Sequence, residues 1–256
     1  YRCPYNLCYP KCGLGCVRWV EDTLFRTTIP PEEVAAIFVE PIQGEGGYIV
    51  PPPDFHKEMK KIAGKYGILY VADEVQSGMG RTGKMFAMEH FGVDPDIIAL
   101  AKGIASGMPL GALTARAEIM DWEAGSHAST FGGNPVSCMA ALATIESLEK
   151  GLMKNASVQG KRLLDGLKKL QQSHECMGDV RGKGLMVGVE FVKDRETKEP
   201  ARKLRGDIIK NVFQKGLLLL GCGENSIRFC PPLTVNRTEI DTCLSIFDDV
   251  VGKTTF

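Results

Sequence analysis

The sequence predicts an α/β domain built on a mostly parallel sheet, followed by a smaller α+β domain, and three observations carry the prediction. Apolar runs at residues 35–39, 68–72 and 97–101 are continuous instead of alternating, the pattern of strands buried on both faces by helices. A helical pattern separates the first two runs, which makes one βαβ unit. From about residue 157 onward, helices and short strands interleave densely, as they do in a second, smaller domain.

Taken in order, the first run ends at Glu40, and the loop that follows, Gly44-Glu45-Gly46-Gly47, has the freedom to approach a ligand closely. Pro51-Pro52-Pro53 fixes the path into the next helix. Asp54 is expected to cap that helix, with Phe55, Met59 and Ile62 on its apolar face and Gly67 where it stops. The second run ends at Asp73-Glu74 and the third at Lys102. Past residue 110 the character changes: Asn134-Pro135 is an N-cap followed by proline at the first helical position, opening a helix to about Lys150. A second helical pattern covers 157–172. Strands are expected at 185–192, 217–220 and 227–230, and helices at 202–214 and 237–251. The boundary is placed near residue 158, giving domains 1–158 and 159–256.

Composition narrows the function classes. With 256 residues and 44% apolar side chains, the chain has the material for a packed core, which argues against disorder. Lys plus Arg and Asp plus Glu both total 31, so no global field selects nucleic acid or an anionic membrane as partner. No stretch approaches the ~20 consecutive apolar residues of a membrane span, and Tyr1-Arg2-Cys3-Pro4-Tyr5 contains no apolar signal core, so a cytoplasmic setting is expected. Nine cysteines, an odd number, then read as reduced thiols. Cys3, Cys8, Cys12 and Cys16 crowd the first sixteen positions, but their spacings fit zinc and iron–sulfur sites poorly, and no metal is expected.

Ligands of open α/β sheets collect beyond the carboxyl ends of the strands. Glu40, Asp73-Glu74 and Lys102 stand there. Singly, such residues usually point at water; together, the carboxylates and the lysine exceed what solubility requires. Two nucleotide motifs overlap at residues 78–83, and both fail. The P-loop pattern has Met85 where the magnesium-binding hydroxyl belongs, and the G-x-G-x-x-G pattern starts only after the intervening residues Glu74 to Ser77, so the turn does not follow the strand at once. Pyridoxal 5'-phosphate chemistry accounts for the same residues better. It needs a lysine for the Schiff base and an acid that keeps the pyridine nitrogen protonated. Lys102 suits the first role and Asp73 the second, with Val75 on the same side of the strand as Asp73.

The runs Glu40-Pro41-Ile42-Gln43-Gly44-Glu45-Gly46-Gly47, Asp73-Glu74-Val75-Gln76-Ser77-Gly78-Met79-Gly80-Arg81-Thr82-Gly83, Ala101-Lys102-Gly103 and Ser129-Thr130-Phe131-Gly132-Gly133-Asn134-Pro135 resemble the class III aminotransferases. The similarity is greatest to the 4-aminobutyrate and other ω-amino acid aminotransferases, and it continues through Arg181-Gly182-Lys183-Gly184-Leu185 to the last helix. It implies a fold type I pyridoxal-phosphate-dependent transferase: the mostly parallel sheet of a large domain, incomplete here, and a C-terminal α+β small domain. Lys102 would be the Schiff-base lysine and the base that moves the substrate proton. Asp73 would bind the pyridine nitrogen, Val75 would cover one ring face and Gln76 would hydrogen-bond the phenolic oxygen. Thr130 would donate to the cofactor phosphate of a neighbouring subunit, which implies a homodimer with shared active sites. Of the histidines, only His127 is expected near the cofactor.

The resemblance also implies that Glu45 pairs with an arginine of the C-terminal domain, Arg228, and that the pair opens when the arginine clamps the α-carboxylate of 2-oxoglutarate or glutamate. The plain alternative is a structural salt bridge. Glu40 would support the site without reacting. The implied activity is transamination of an ω-amino acid such as 4-aminobutyrate with 2-oxoglutarate; an amino acid racemase of the same family, or an inactive chain serving as a dimerisation or binding module, stands beside it. Because the family's phosphate loop and ring-stacking aromatic fall upstream of these motifs, the chain is expected to be the C-terminal part of such an enzyme and to bind pyridoxal phosphate poorly alone.

Overall fold

The computed structural model describes residues 1–254. The described residues form two compact units: residues 1–41, 51–76 and 86–145 make the first, and residues 42–50, 77–85 and 146–254 the second.

In the first unit, the short helices α1 (Gly15–Trp19) and α2 (Phe25–Thr27) flank a π-helical turn, and strand β1 (Ala36–Val39), helix α3 (Phe55–Lys65) and strands β2 (Leu69–Asp73), β3 (Ile97–Leu100) and β4 (Ala112–Ala115) follow. The sheet order is β1-β2-β3-β4. The apolar runs are the parallel neighbours β1, β2 and β3, as expected, and β4 closes the edge antiparallel to β3. β4 escaped the sequence reading because its residues, Ala-Leu-Thr-Ala, form neither a continuous apolar run nor a clean alternation. Burial on both faces holds for the middle of β2 and fails on the two edge strands: Phe38 on β1 is 73% exposed and Leu113 on β4 is 58% exposed. Register puts these positions on a common face. Phe38 lies opposite Val71, Asp73 opposite Ala99, and Ala99 opposite Leu113, so all of these side chains belong to one sheet face. Helix α3 packs on the other, with His56, Met59, Ile62 and Ala63 buried.

The expected cap of α3 is corrected. The Asp54 side chain makes no hydrogen bond to the helix, because it accepts one from the Tyr9 hydroxyl. Gly67 does end the turn after α3, at φ +69°. Helix α4 (Pro135–Ser147) opens as predicted, with Asn134 Oδ1 accepting the Ser137 N–H at 2.9 Å. It does not stop at a loop. A π-helical turn over Leu148–Leu152, with Gly151 at φ 149°, carries it into α5 (Met153–Ser173). The expected boundary near residue 158 falls inside α5, whereas the chain passes between units at residues 145 and 146.

The second unit adds β5 (Met177–Lys183), β6 (Met186–Phe191), α6 (Arg202–Gln214), β7 (Leu220–Cys222), β8 (Ser226–Phe229) and α7 (Arg237–Lys253). Its sheet is antiparallel throughout, in the order β5-β6-β8-β7. Every residue of β6 is buried, and Val189, Phe191, Ile227, Phe229 and Phe247 share one core with Leu163, Leu167 and Ile208 from the helices. β5 was not predicted, since Gly178, Asp179, Arg181, Gly182 and Lys183 give it no apolar signal. β7 starts later than expected because the turn after α6 still holds Leu217, whose N–H bonds Val212 O at 3.0 Å.

Close backbone packing joins residues 77–85 to this unit. A Cβ on Gly160 of α5 would lie 2.1 Å from the Gly184 backbone, and one on Gly184 would lie 2.4 Å from the Thr82 backbone. Arg81, part-buried in the same segment, donates to Pro231 O at 2.5 Å, and its own carbonyl accepts the Leu185 N–H at 3.0 Å. No helix among the described residues is long and apolar enough to cross a membrane.

Candidate active site

In the first unit Asp73 and Lys102 stand at the same end of neighbouring parallel strands. Asp73 is the last residue of β2 and lies opposite Ala99, and Glu74 N–H bonds Ala99 O at 3.0 Å. Lys102 follows the end of β3 directly after Ala101, so the two side chains leave the same end of parallel neighbours. Asp73 is part-buried, and its Oδ1 accepts the Val75 N–H at 3.0 Å. That bond orients the carboxylate, while Oδ2 carries no hydrogen bond among the described residues. Glu74 is buried, and its Oε1 accepts the Met88 N–H at 2.8 Å.

Lys102 sits at φ +47°, in the left-handed region, which a side chain bearing a Cβ enters at a cost of about 1–3 kcal/mol. Its amine is exposed and has no hydrogen-bond or ion-pair partner among the described residues. Ile104 and Ala105, buried in the 3-10 turn Lys102–Ala105, anchor the strained backbone. An oriented carboxylate with an open acceptor and an unpaired amine at neighbouring strand ends fit what pyridoxal phosphate requires. Val75 and Gln76 follow Asp73, both part-buried.

Thr130 stands elsewhere. It is exposed in the segment before α4 and makes no hydrogen bond among the described residues, whereas its neighbour Ser129 accepts the Gly132 N–H through Oγ at 3.1 Å. The surface around it is apolar: Phe131 is 80% exposed, and Val136, Met139 and Leu142 of α4 are exposed too. His127 stacks edge-on against Trp122, with ring centroids 5.1 Å apart.

One support was passed over in the sequence. His56, wholly buried on α3, has Nε2 3.0 Å from Pro41 O and Nδ1 2.8 Å from the Tyr70 hydroxyl. A carbonyl only accepts, so Nε2 carries the proton and Tyr70 donates to Nδ1. Burial pushes the His56 pKa down, against the Pro41 bond, and keeps the ring neutral. His56 thereby fixes the Glu40-Pro41 start of the first motif.

The second unit holds the expected Glu45–Arg228 ion pair. Residues 42–50 form a loop closed by reciprocal bonds between Gln43 and Ile49, 3.0 and 3.1 Å long. Arg228, on β8 between Gly188 of β6 and Leu220 of β7, donates through Nη1 to Glu45 Oε2 at 2.8 Å. The partners differ in exposure: the arginine side chain is 20% exposed and the glutamate 77%. Arg228 Nε is buried without a hydrogen bond. The cation is thus fixed in the protein while its carboxylate stands in water, where such a pair contributes only about 0–1 kcal/mol. Another carboxylate has little to displace. Tyr48 lies buried beside the pair, its phenol pushed up by burial, and burial pushes the Cys222 thiol up to about 11.

Comparison with known proteins gives the family of the chain. The family model described as aminotransferase class-III matches residues 14–251. A leucine/methionine racemase of Thermococcus litoralis is 46% identical over 98% of this chain and 57% of its own length. The 4-aminobutyrate aminotransferase of Escherichia coli is 42% identical over 87% of this chain and 53% of its own. Among solved structures, an amine transaminase from an uncultivated Pseudomonas species, in its PLP-bound form, superposes with a TM-score of 0.93 at 34% identity, covering 100% of this chain and 60% of that one. The chain therefore spans about half the length of the curated relatives it matches, and within that span its fold is that of the fold type I transaminases. The chain belongs to the class III aminotransferases.

Proposed function

We propose that this chain carries the reacting lysine and the substrate clamp of a pyridoxal-phosphate-dependent transaminase, with an ω-amino acid such as 4-aminobutyrate as donor and 2-oxoglutarate as acceptor. The observation that carries the reading is the pairing of strand ends: Asp73 with an open Oδ2 and Lys102 with an unpartnered amine, on parallel neighbours. When bound, the cofactor supplies an electron sink that makes the C–H of the substrate's amine-bearing carbon acidic. Lys102 would hold the cofactor and move the proton at that carbon. Asp73 Oδ2 would accept from the pyridine N–H and keep it protonated. Val75 would cover the ring, and Gln76 would donate to its phenolic oxygen. Arg228 would clamp an α-carboxylate once Glu45 swings aside into the solvent it already faces.

The exposed Thr130, beside the apolar surface of Phe131, Val136, Met139 and Leu142, supports a homodimer in which each subunit completes its partner's phosphate site. A second reading is favoured by the 46% identity to the leucine/methionine racemase: the same lysine chemistry with the proton returned to the other face of Cα. One assay separates them. Cofactor-loaded enzyme given 4-aminobutyrate and 2-oxoglutarate should form glutamate, at a rate that Lys102→Ala lowers about 10³-fold. Formation of D-amino acid with no acceptor present would favour the racemase, and normal turnover by Lys102→Ala would sink both.

A further inference from the structure

The loop that carries Glu45 is held from outside by one side chain. Arg181 of β5 donates through Nε to Gly47 O and Tyr48 O, each at 3.2 Å, and through Nη2 to Gly47 O at 2.6 Å and Ser226 Oγ at 3.2 Å. Its Nη1 donates to Asp179 Oδ2 and to Glu190 Oε2, both at 2.8 Å. The side chain is only 13% exposed. One edge of the guanidinium therefore grips the backbone two and three residues beyond Glu45, and also Ser226, two residues before Arg228. The acids fix the rest of the fork. A planar fork grips divergent acceptors at once, whereas a lysine ammonium is a single point. Two further contacts press on the loop: Gly223 N–H bonds Glu45 O at 2.6 Å, and a Cβ on Gly188 would stand 3.0 Å from the Tyr48 Cβ.

We propose that Arg181 is a positioning residue for the carboxylate selector: it holds residues 44–48 against the strand of Arg228 so that Glu45 reaches the guanidinium, and it thereby sets the balance between substrates with and without an α-carboxylate. The proposal rests on the reading of Glu45 and Arg228 given under Proposed function. With the loop loosened, Arg228 stays unneutralised. A dicarboxylate acceptor then binds more easily, and a donor that places hydrocarbon against the arginine binds less easily.

Removing Arg181 alone would take the cationic partner from Glu190, which is 3% exposed, so strong destabilisation is the expected outcome of a simple truncation. The test therefore uses Arg181→Lys, which keeps the charge and loses the fork, and the double variant Arg181→Met with Glu190→Gln, which removes the arginine together with its buried acid and leaves the more exposed Asp179 in place. Glu45→Gln serves as reference, all in cofactor-loaded enzyme. The first readout is the rate at which phenylglyoxal modifies Arg228, followed by peptide mass spectrometry. The second is the KM for 4-aminobutyrate divided by that for 2-oxoglutarate, which should rise about tenfold as the first KM increases and the second falls. Both Arg181 variants are expected to move both readouts in the direction of Glu45→Gln. General loosening would raise both KM values together. Modification of Arg228 at the parent rate in both variants overturns the role of Arg181. A Glu45→Gln enzyme with an unchanged KM ratio sinks the selector reading, and the modification rate still decides Arg181.

Discussion

The two units dispose of their apolar surface in opposite ways. In the second unit β6 is buried along its whole length, and Phe229 packs edge-on against Phe247 with ring centroids 5.0 Å apart. In the first, equally apolar strands leave Phe38 and Leu113 in the open, on the sheet face that also bears Asp73. A continuous apolar run thus specifies a strand, while its burial depends on what packs over it. The division follows the chemistry. The residues proposed to meet the cofactor stand on the open sheet, and the clamp proposed to choose the substrate stands on the closed one, stiffened by Arg181.

The comparison breaks most visibly if large and small intrusions have similar effects in the two units. Gly160→Val pushes a side chain into the Gly184 backbone and should cost more than about 4 kcal/mol or prevent the second unit from folding. Leu113→Ala, on the exposed strand β4, should change the unfolding free energy measured in urea by less than about 0.5 kcal/mol. Equal losses by circular dichroism would contradict the contrast.

Acid should separate the units next. The folded His56 pKa is lowered by burial, so the unfolded chain takes up the proton first as pH falls. The stability His56 contributes is complete above the ordinary value of 6.5 and is lost as pH falls through the lowered one. Asp96 follows at lower pH. Burial alone would raise its pKa, but hydrogen bonds from Lys60 and from Tyr70 N–H, with the charge of Arg116, hold it below 3.8, so its contribution disappears only as pH falls through that lowered value. Trp19 and Trp122 both belong to the first unit, so tryptophan fluorescence reports its unfolding separately from the far-ultraviolet signal of the whole chain. In His56→Gln the first phase of acid sensitivity should vanish. The smallest effect is expected at α7, where Asn236 and Glu239 form a reciprocal capping box: Asn236→Ala should cost about 1 kcal/mol in urea unfolding.

Much of this was legible because the signals were local. Three apolar runs gave β1 to β3, and the helix starting at Arg202 and the one starting at Arg237 lie where periodicity puts them. Asp73 and Lys102 were readable as strand-end charges. What stayed hidden depends on partners far along the chain. Residues 77–85 join the second unit through Thr82 against Gly184, and residues 42–50 through the grip of Arg181 on Gly47 and Tyr48. β5 carries Arg181 and looks polar because that arginine is consumed by acceptors no sequence pattern displays. The left-handed backbone at Lys102 has no signal in composition at all.

The central claim is that Lys102 is the lysine that holds the cofactor. Borohydride reduction of pyridoxal-phosphate-loaded enzyme, followed by proteolysis and mass spectrometry, tests it directly. The added phosphopyridoxyl mass should be found on the peptide containing Lys102 and should be absent from that position in Lys102→Ala. Stoichiometric label on another lysine of the native enzyme, with Lys102 unmodified, would contradict the account.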